Sequence, residues 1–481
     1  SGAITLNDGK PMAGARVVAT HVPSGSRYGA ITGATGRYAI QGLRTGGPYT
    51  VEITSVGMKP AKYSDITIKL GETYILNSKL EEGEVKLSEI TVTSRKSAVM
   101  SNERTGAATN INKDVINAVP TLSRNIIDFA KVTPQANGRS FGGQDNRMNN
   151  LTIDGSVFNN SFGLSNVPGG QTGQSPISLD AIEEVQVNIA PYDVRQGGFT
   201  GAGINAITRS GDNEWRWSVF ANNRTQAFAG DTIAGLTAAE GTAFNRTALN
   251  TSRFNVFQFG GRLSGPIIQD KLFFFLNYER ETNTSPGTNY RALRPGETVG
   301  GVITRVPVST LDTLRQFLIS KYNYDPGAYD GYDRVTFSDK ATGKLSWNID
   351  ESNKFNIRFQ YLRSQADILT SNSFSGLVAS GNRNGTTDAI NFSNANYFIN
   401  NDIYSAIAEL NSVVGSNISN NLIVGFTANR DYRDSRSRPF PFVDILSGGT
   451  TPTTLTSFGY ELFTPFNKLD TDTWQLQDNV T

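Results

Sequence analysis

From residue 213 onward, apolar and polar side chains alternate in eight stretches of roughly 10–14 residues. They start near Trp215, Arg253, Leu272, Lys340, Lys354, Asp402, Asn421 and Asp472. After Lys354, Phe355, Ile357, Phe359 and Tyr361 share one face, while Asn356, Arg358, Gln360 and Ser364 share the other. Leu345, Trp347 and Ile349 likewise oppose Lys344, Ser346 and Asn348. Phe274, Leu276 and Tyr278 oppose Phe275, Asn277 and Glu279. A period of two marks a strand with two different surroundings, so the pattern predicts eight antiparallel strands.

The connections sort by length. "IIQDK", "DESN" and "SNISN" are tight turns, whereas the others run about 25 to 55 residues. A soluble sandwich has no reason to alternate its loops in this way. A transmembrane barrel does, with short turns facing the periplasm and long loops facing outward. Trp215, Trp217, Trp347, Tyr361 and Trp474 near stretch ends fit interfacial girdles. The charged positions Glu279, Arg358 and Glu409 are expected to face the lumen. Eight strands enclose only enough space for their own side chains. The chain also stops in alternation at "QLQDNVT". The expectation is the N-terminal part of a larger barrel.

Two regions precede it. Residues 1–83 read as a small β-sandwich, with strands at Ala15–Thr20, Arg37–Ile40, Tyr49–Ile53, Ile66–Leu70 and Tyr74–Leu80 between Gly/Pro turns. Residues 84–212 read as a mixed α/β domain. "NKDVINAVP" and "LSRNIIDFAKV" predict short helices with Asn112 and Ser123 as N-caps, and Ile126, Ile127, Phe129 and Ala130 can form one apolar face. "LDAIEEVQVNIA" predicts a helical turn entering a strand at Val185–Ile189, and Asn137–Gly173 reads as a long polar loop.

Composition narrows the chemistry. With no cysteine and a single histidine, His21, the chain has no disulfide framework, thiolate metal site or catalytic thiol. His21 reads as structural, at a strand end. A net charge of +1 leaves no basic excess for nucleic acid. No stretch of about 18 apolar residues exists, so no spanning helix is predicted, which leaves spanning strands open. The chain opens on "SGAITLNDGKP", already strand-like, so its true N-terminus is expected to lie upstream. Glu183 and Glu184 are read as adjacent on a short helix and pointing apart, so they form no acid/base pair. "GFTGAG" lacks the Gly-Lys-Ser/Thr of a phosphate loop.

Three stretches carry a family resemblance. Gly9–Met58 resembles the carboxypeptidase regulatory-like domain found at the N-terminus of many Bacteroidetes receptors. "NRMNNLTIDGSVFNN" (Asn146–Asn160) and Leu179–Gly211, with its "GAGINAIT", resemble the plug of TonB-dependent outer-membrane transporters. "GGRLSGPIIQDKLFFFLNYE" (Gly260–Glu279) resembles the second and third barrel strands of the Oar-like branch. The resemblance implies a mainly β protein: a small sandwich at 1–83, a plug at 84–212, and from 213–481 the first eight of about 22 barrel strands. It implies a non-enzymatic importer in the outer membrane of a Gram-negative bacterium, its N-terminal domain periplasmic. The alternative is an outer-membrane platform for protein assembly, secretion or adhesion, acting through a surface or periplasmic protein partner.

The implied partners are TonB and outer-membrane lipid. Ser88, Glu89, Ile90, Thr91, Val92 and Thr93, in "KLSEITVTS", resemble the stretch by which such receptors engage TonB. They could add as a strand to a partner's sheet edge, and they could equally be the first strand of the plug. No cofactor is expected. Asp325, Asp330 and Asp333, with Asp339, could ligate Ca²⁺, although their spacing misses the EF-hand pattern and a solvated turn-rich loop is the simpler reading. "STLDTLRQFLISKY" just before them predicts a helix in a folded outer loop.

Overall fold

A computed structural model describes residues 1–83, 107–118, 124–130, 132–159, 170–189, 199–228, 254–373, 386–415, 418–448 and 452–481, with a few isolated positions between them. No described helix is long and apolar enough to cross a membrane.

The alternating region forms one antiparallel sheet of eight strands, each paired with its sequence neighbour. They are β1 (Arg216–Thr225), β2 (Asn255–Ile268), β3 (Leu272–Pro286), β4 (Asp333–Asn348), β5 (Asn353–Ile368), β6 (Tyr397–Val414), β7 (Ile418–Ser435) and β8 (Lys468–Val480). The turns after β2, β4 and β6 are short, and the other connections are long. The faces follow the alternation. Glu279, Lys340, Arg358 and Ser405 are buried on the inner face, while Leu276, Phe359, Val424 and Trp474 are exposed on the outer. Several strands begin before the alternation does, β4 at Asp333 rather than near Lys340 and β6 at Tyr397 rather than near Asp402. In "DRVTFSD" the apolar face holds only Val335 and Phe337, with Asp333 and Asp339 on either side of them, so its alternation is short and easily missed.

Charge helps to fix the register. Arg280, Asp339, Arg363, Asp402, Arg430 and Asp470 stand directly opposite one another in a row across β3 to β8, with alternating sign. A slip of one residue would send this row to the inner face.

The N-terminal unit packs a four-stranded sheet, ordered Ser26–Ile31, Arg16–His21, Gly46–Thr54, Ala61–Ile68, against a three-stranded one. The second sheet pairs Gly2–Leu6 with Arg37–Tyr38 and, in parallel, with Ser78–Leu80. Ile4, Val17, Tyr49, Ile53 and Leu80 fill the space between. One strand exceeds expectation, Ser26–Ile31, and only Ser78–Leu80 of the expected Tyr74–Leu80 is paired, while the strand-like opening forms Gly2–Leu6.

The middle region is a five-stranded mixed sheet, ordered Ser156–Val157, Asn150–Ile153, Ala202–Thr208, Ile182–Ile189, Ala107–Asn112. Helices Lys113–Ala118 and Ile126–Ala130 flank it. The Asn112 side chain accepts from the amides of Asp114 and Val115 and caps the first. Ser123 lies outside the described residues. Ile126 and Phe129 are fully buried.

Two expectations need correction. The Asn137–Gly173 loop contains a β-hairpin, because Asp154 (φ 47°) and Gly155 (φ 81°) form a tight two-residue turn of the kind Asp-Gly favours. Glu183 and Glu184 lie on a strand that begins at Ile182, so they point apart by strand alternation and not around a helix.

The described parts of the long connections after β3, β5 and β7 pack together at one end of the barrel. The expected helix, Val308–Tyr322, and two small ladders enclose a core of Val306, Leu311, Leu318, Tyr324, Phe392 and Phe458. Arg383 reaches Asp444 through two hydrogen bonds of 2.9 and 2.7 Å beside this core.

Candidate functional site

The plug fills the lumen and meets the wall through two buried charge clusters. In the first, Lys344 on β4 and Arg358 on β5 stand directly opposite each other. Two cations facing each other across a ladder repel. The plug supplies the missing anion: Asp154 lies 3.6 Å from Lys344 Nζ and 3.4 Å from Arg358 Nη1. Its carboxylate also accepts from the Thr208 amide at 2.8 Å and from the Thr208 hydroxyl, which tie it to the plug's central strand. Arg358 is 1% exposed, so this contact is withdrawn from water.

In the second cluster, Glu279 on β3 is opposite Lys340 on β4, with Nζ at 2.9 Å. From the plug, the Ser178 hydroxyl donates to Glu279 at 2.7 Å, and Arg124 approaches to 3.8 Å. Arg124 also pairs with Asp180 at 3.4 Å and lies 4.4 Å over the Phe220 ring on β1. Neutral contacts continue around the wall: Thr172 with Ser364, Gln360 with Pro176 O, and Gln475 with Val157 N and Gly155 O. The expected lumen positions thus find partners. Glu279 and Arg358 meet the plug, and Glu409 is held by Asn356 and Asn421 of the neighbouring strands.

Beneath the plug, the N-terminal unit covers the short-turn end. Arg44 donates to the carbonyls of Gly211 (2.8 Å) and Ser210 (2.9 Å), where the plug enters β1. Asn348 bonds Ser26, Ser419 bonds Gln41, and Arg16 and Arg27 approach Glu351 in the turn after β4. Gly25 has φ +63°, and a Cβ there would lie 2.0 Å from Asp270 Oδ1, so a residue without a side chain is required on two counts. Leu70 N donates to Glu184, and burial pushes the Glu184 carboxyl up to about 7. His21 is buried against Tyr49 with Nδ1 2.7 Å from the Ser24 hydroxyl. Burial, with the charges of Arg44 and Arg216, lowers it to about 3, so it stays neutral.

The residues singled out from sequence fall elsewhere. Ser88, Glu89, Ile90, Thr91, Val92 and Thr93 lie outside the described residues. Asp325 is held by Arg315 through two bonds of 2.9 Å, which keep its carboxyl below the usual range. Asp330 accepts from the Ala292 amide, Asp333 opens β4, and Asp339 pairs with Arg280 on the outer face. The three calcium candidates are not brought together, and the described residues contain no cluster of three or more metal-ligating side chains. Sequence reasoning passed over Asp154 and Arg124, and it placed Lys344 on the polar face of its strand and Lys340 at a strand start without assigning either a partner. The lysines carried a signal, since both occupy inward positions of a strand.

Two family models match: carboxypeptidase regulatory-like domain over residues 1–81 and outer membrane beta barrel domain over residues 207–481. The chain is 28% identical to the TonB-dependent transporter Oar of Myxococcus xanthus over 282 residues, 56% of this chain and 25% of that protein. Among solved structures, it resembles the outer membrane transporter YddB from Escherichia coli, with a TM-score of 0.51 at 14% identity over 78% of this chain and 45% of that one. That likeness establishes the fold of a plugged barrel begun but not closed. The chain spans a quarter of the first relative's length and under half of the second's. Both are transporters by name, not enzymes.

Proposed function

Because the chain belongs to the outer membrane β-barrel family and lies in the outer membrane, we propose that it is the N-terminal portion of a TonB-dependent importer. One observation carries this reading: a plug built on its own mixed sheet sits in the lumen and, beside a few shared apolar contacts at Phe275, Leu362 and Ile403, is held to the wall by ion pairs and neutral hydrogen bonds. Two surfaces joined largely through hydrogen-bonding groups can part and be rehydrated at modest cost, whereas separating apolar faces exposes both to water. The plug is therefore built to be rearranged without unfolding.

In this reading, solute binds at the packed outer loops and the upper plug. TonB engages Ser88–Thr93 from the periplasm and pulls on the segment that leads into the plug sheet at Ala107. The test begins with full-length protein purified from its own outer membrane. Small molecules carried with it are identified by mass spectrometry, and uptake of the identified compound by cells is then measured. Uptake should be abolished by collapsing the proton gradient and by deleting residues 88–93. Uptake that survives both treatments would overturn the reading. A stoichiometric bound protein in place of a small molecule would favour the assembly or secretion alternative, which the ordered outer-loop core would also suit.

A further inference from the structure

The charge row on the outer face of the wall is paired toward both ends and open in the middle. Arg280 is held by Asp339 at 3.0 Å, and Arg430 by Asp472 at 2.6 Å. Arg363, on β5 between them, is exposed and closes no hydrogen bond or ion pair among the described residues, although Asp339 and Asp402 stand opposite it. Asp339 is already occupied, since it also accepts from the Tyr278 hydroxyl at 2.6 Å. Arg280 spends only its Nη1 on Asp339, which leaves the other edge of its fork free. The guanidinium carbons of Arg280 and Arg363 lie 5.5 and 6.0 Å from the centre of the Phe337 ring on β4, so the two cations flank one ring.

The neighbours of this site fix its height in the membrane. One step toward the short turns, Tyr278, Tyr361 and Tyr404 lie in a single row, with Ala341 between the first two. Beyond them the outward positions are apolar, and Leu276 and Phe359 are exposed. Tyrosine collects where hydrocarbon gives way to headgroups, and charge facing acyl chains is costly. The charge row therefore stands at headgroup level, on the side away from the short turns, which is the outer leaflet. That leaflet is built largely of phosphorylated glycolipid. We propose that Arg363, with the free edge of Arg280, binds a headgroup phosphate of such a lipid beside Phe337. A planar guanidinium bonds phosphate oxygens in pairs and stacks on rings, and it sheds water more readily than an ammonium. Free phosphate shares this chemistry, but only a lipid also brings acyl chains against the apolar band below the tyrosine row. The proposal needs the outer-membrane location alone and does not depend on the transport reading.

Full-length protein is stripped of lipid in detergent and mixed with a phosphorylated diglucosamine glycolipid or with the same lipid dephosphorylated. Bound species are counted by native mass spectrometry. The phosphorylated lipid should be retained in preference, and Arg363→Gln should weaken its binding about tenfold, the low end for a hydrogen bond to a charged group. Arg363 closes no pair, so this substitution strands no partner and the variant should assemble as the native protein does. Lys10→Gln makes an equal change of charge on the exposed surface of the N-terminal unit and should leave binding unchanged. Native-level binding by Arg363→Gln overturns the site, and so does an equal loss in Lys10→Gln, which would assign binding to net charge. Equal retention of the two lipids overturns the phosphate contact. Displacement of the lipid by equimolar inorganic phosphate overturns the lipid as its source.

Discussion

The plug sheet and the barrel wall touch along much of their length, yet they sort their side chains in opposite senses. The plug hides Ile153, Val185, Val187 and Ile204 and turns Asp154 and Ser178 toward its neighbour. The wall hides Glu279, Lys340 and Arg358 and exposes Leu276, Phe359 and Leu476. The difference follows from what lies on the far side. Water surrounds an ordinary domain, so its apolar groups go inside. Lipid surrounds the wall, and lipid tails are as apolar as leucine, so nothing drives those groups inward. A buried polar group in the wall then finds its partners on neighbouring strands, as Glu409 does, or on the plug, as Arg358 does.

Three substitutions in the wall probe this contrast, and the largest expected effect is set beside its control. Lys340→Ala leaves Glu279 buried with only Ser178 and Arg124, and should cost about 3–5 kcal/mol of assembled-barrel stability. Leu276→Ala, on the other face of a neighbouring strand, should cost ~1 kcal/mol or less, because lipid fills the gap. Urea midpoints in detergent compare the two, and equal losses would break the contrast. Phe359→Arg places a charge against lipid tails and should cost about 2–4 kcal/mol, read as a lower yield of folded barrel in membranes.

The next, smaller effect moves to the N-terminal unit. Arg44→Ala removes two charged hydrogen bonds and should loosen docking by about 1.5–3 kcal/mol per bond at most. Disulfide yield between Gln41→Cys and Ser419→Cys, whose native side chains are 2.8 Å apart, reports the docked state. The last is a pH effect at the same interface. The docked Glu184 carboxyl sits at about 7, above its ordinary value. Its raised value makes docking strongest below about pH 4.5, the ordinary range of a glutamate, and weaker as pH rises through 7. The same disulfide yield should therefore fall from pH 5 to pH 8, and Glu184→Gln should flatten the profile.

The wall was legible from sequence because two solvents impose a period of two, and Glu279, Arg358 and Glu409 were placed correctly by parity alone. The strand ends were not, since in "DRVTFSD" Asp333 and Asp339 break the apolar face on either side of Val335 and Phe337. The hairpin at Asp154 was read as loop because its strands are only four and two residues long, although Asp-Gly was visible. The clusters themselves could not be read. Asp154 and Arg358 are separated by 204 positions, and nothing local to either announces the other. Parity shows that a charge faces inward but not what meets it.

The length of β4 to β7 has a consequence for reach. These strands run 16 to 18 residues, whereas crossing the hydrocarbon takes about 9–11. At the usual tilt, the surplus lifts the wall roughly 15 Å above the lipid. The packed loops ride on this raised collar, so their apolar core stands clear of the bilayer surface.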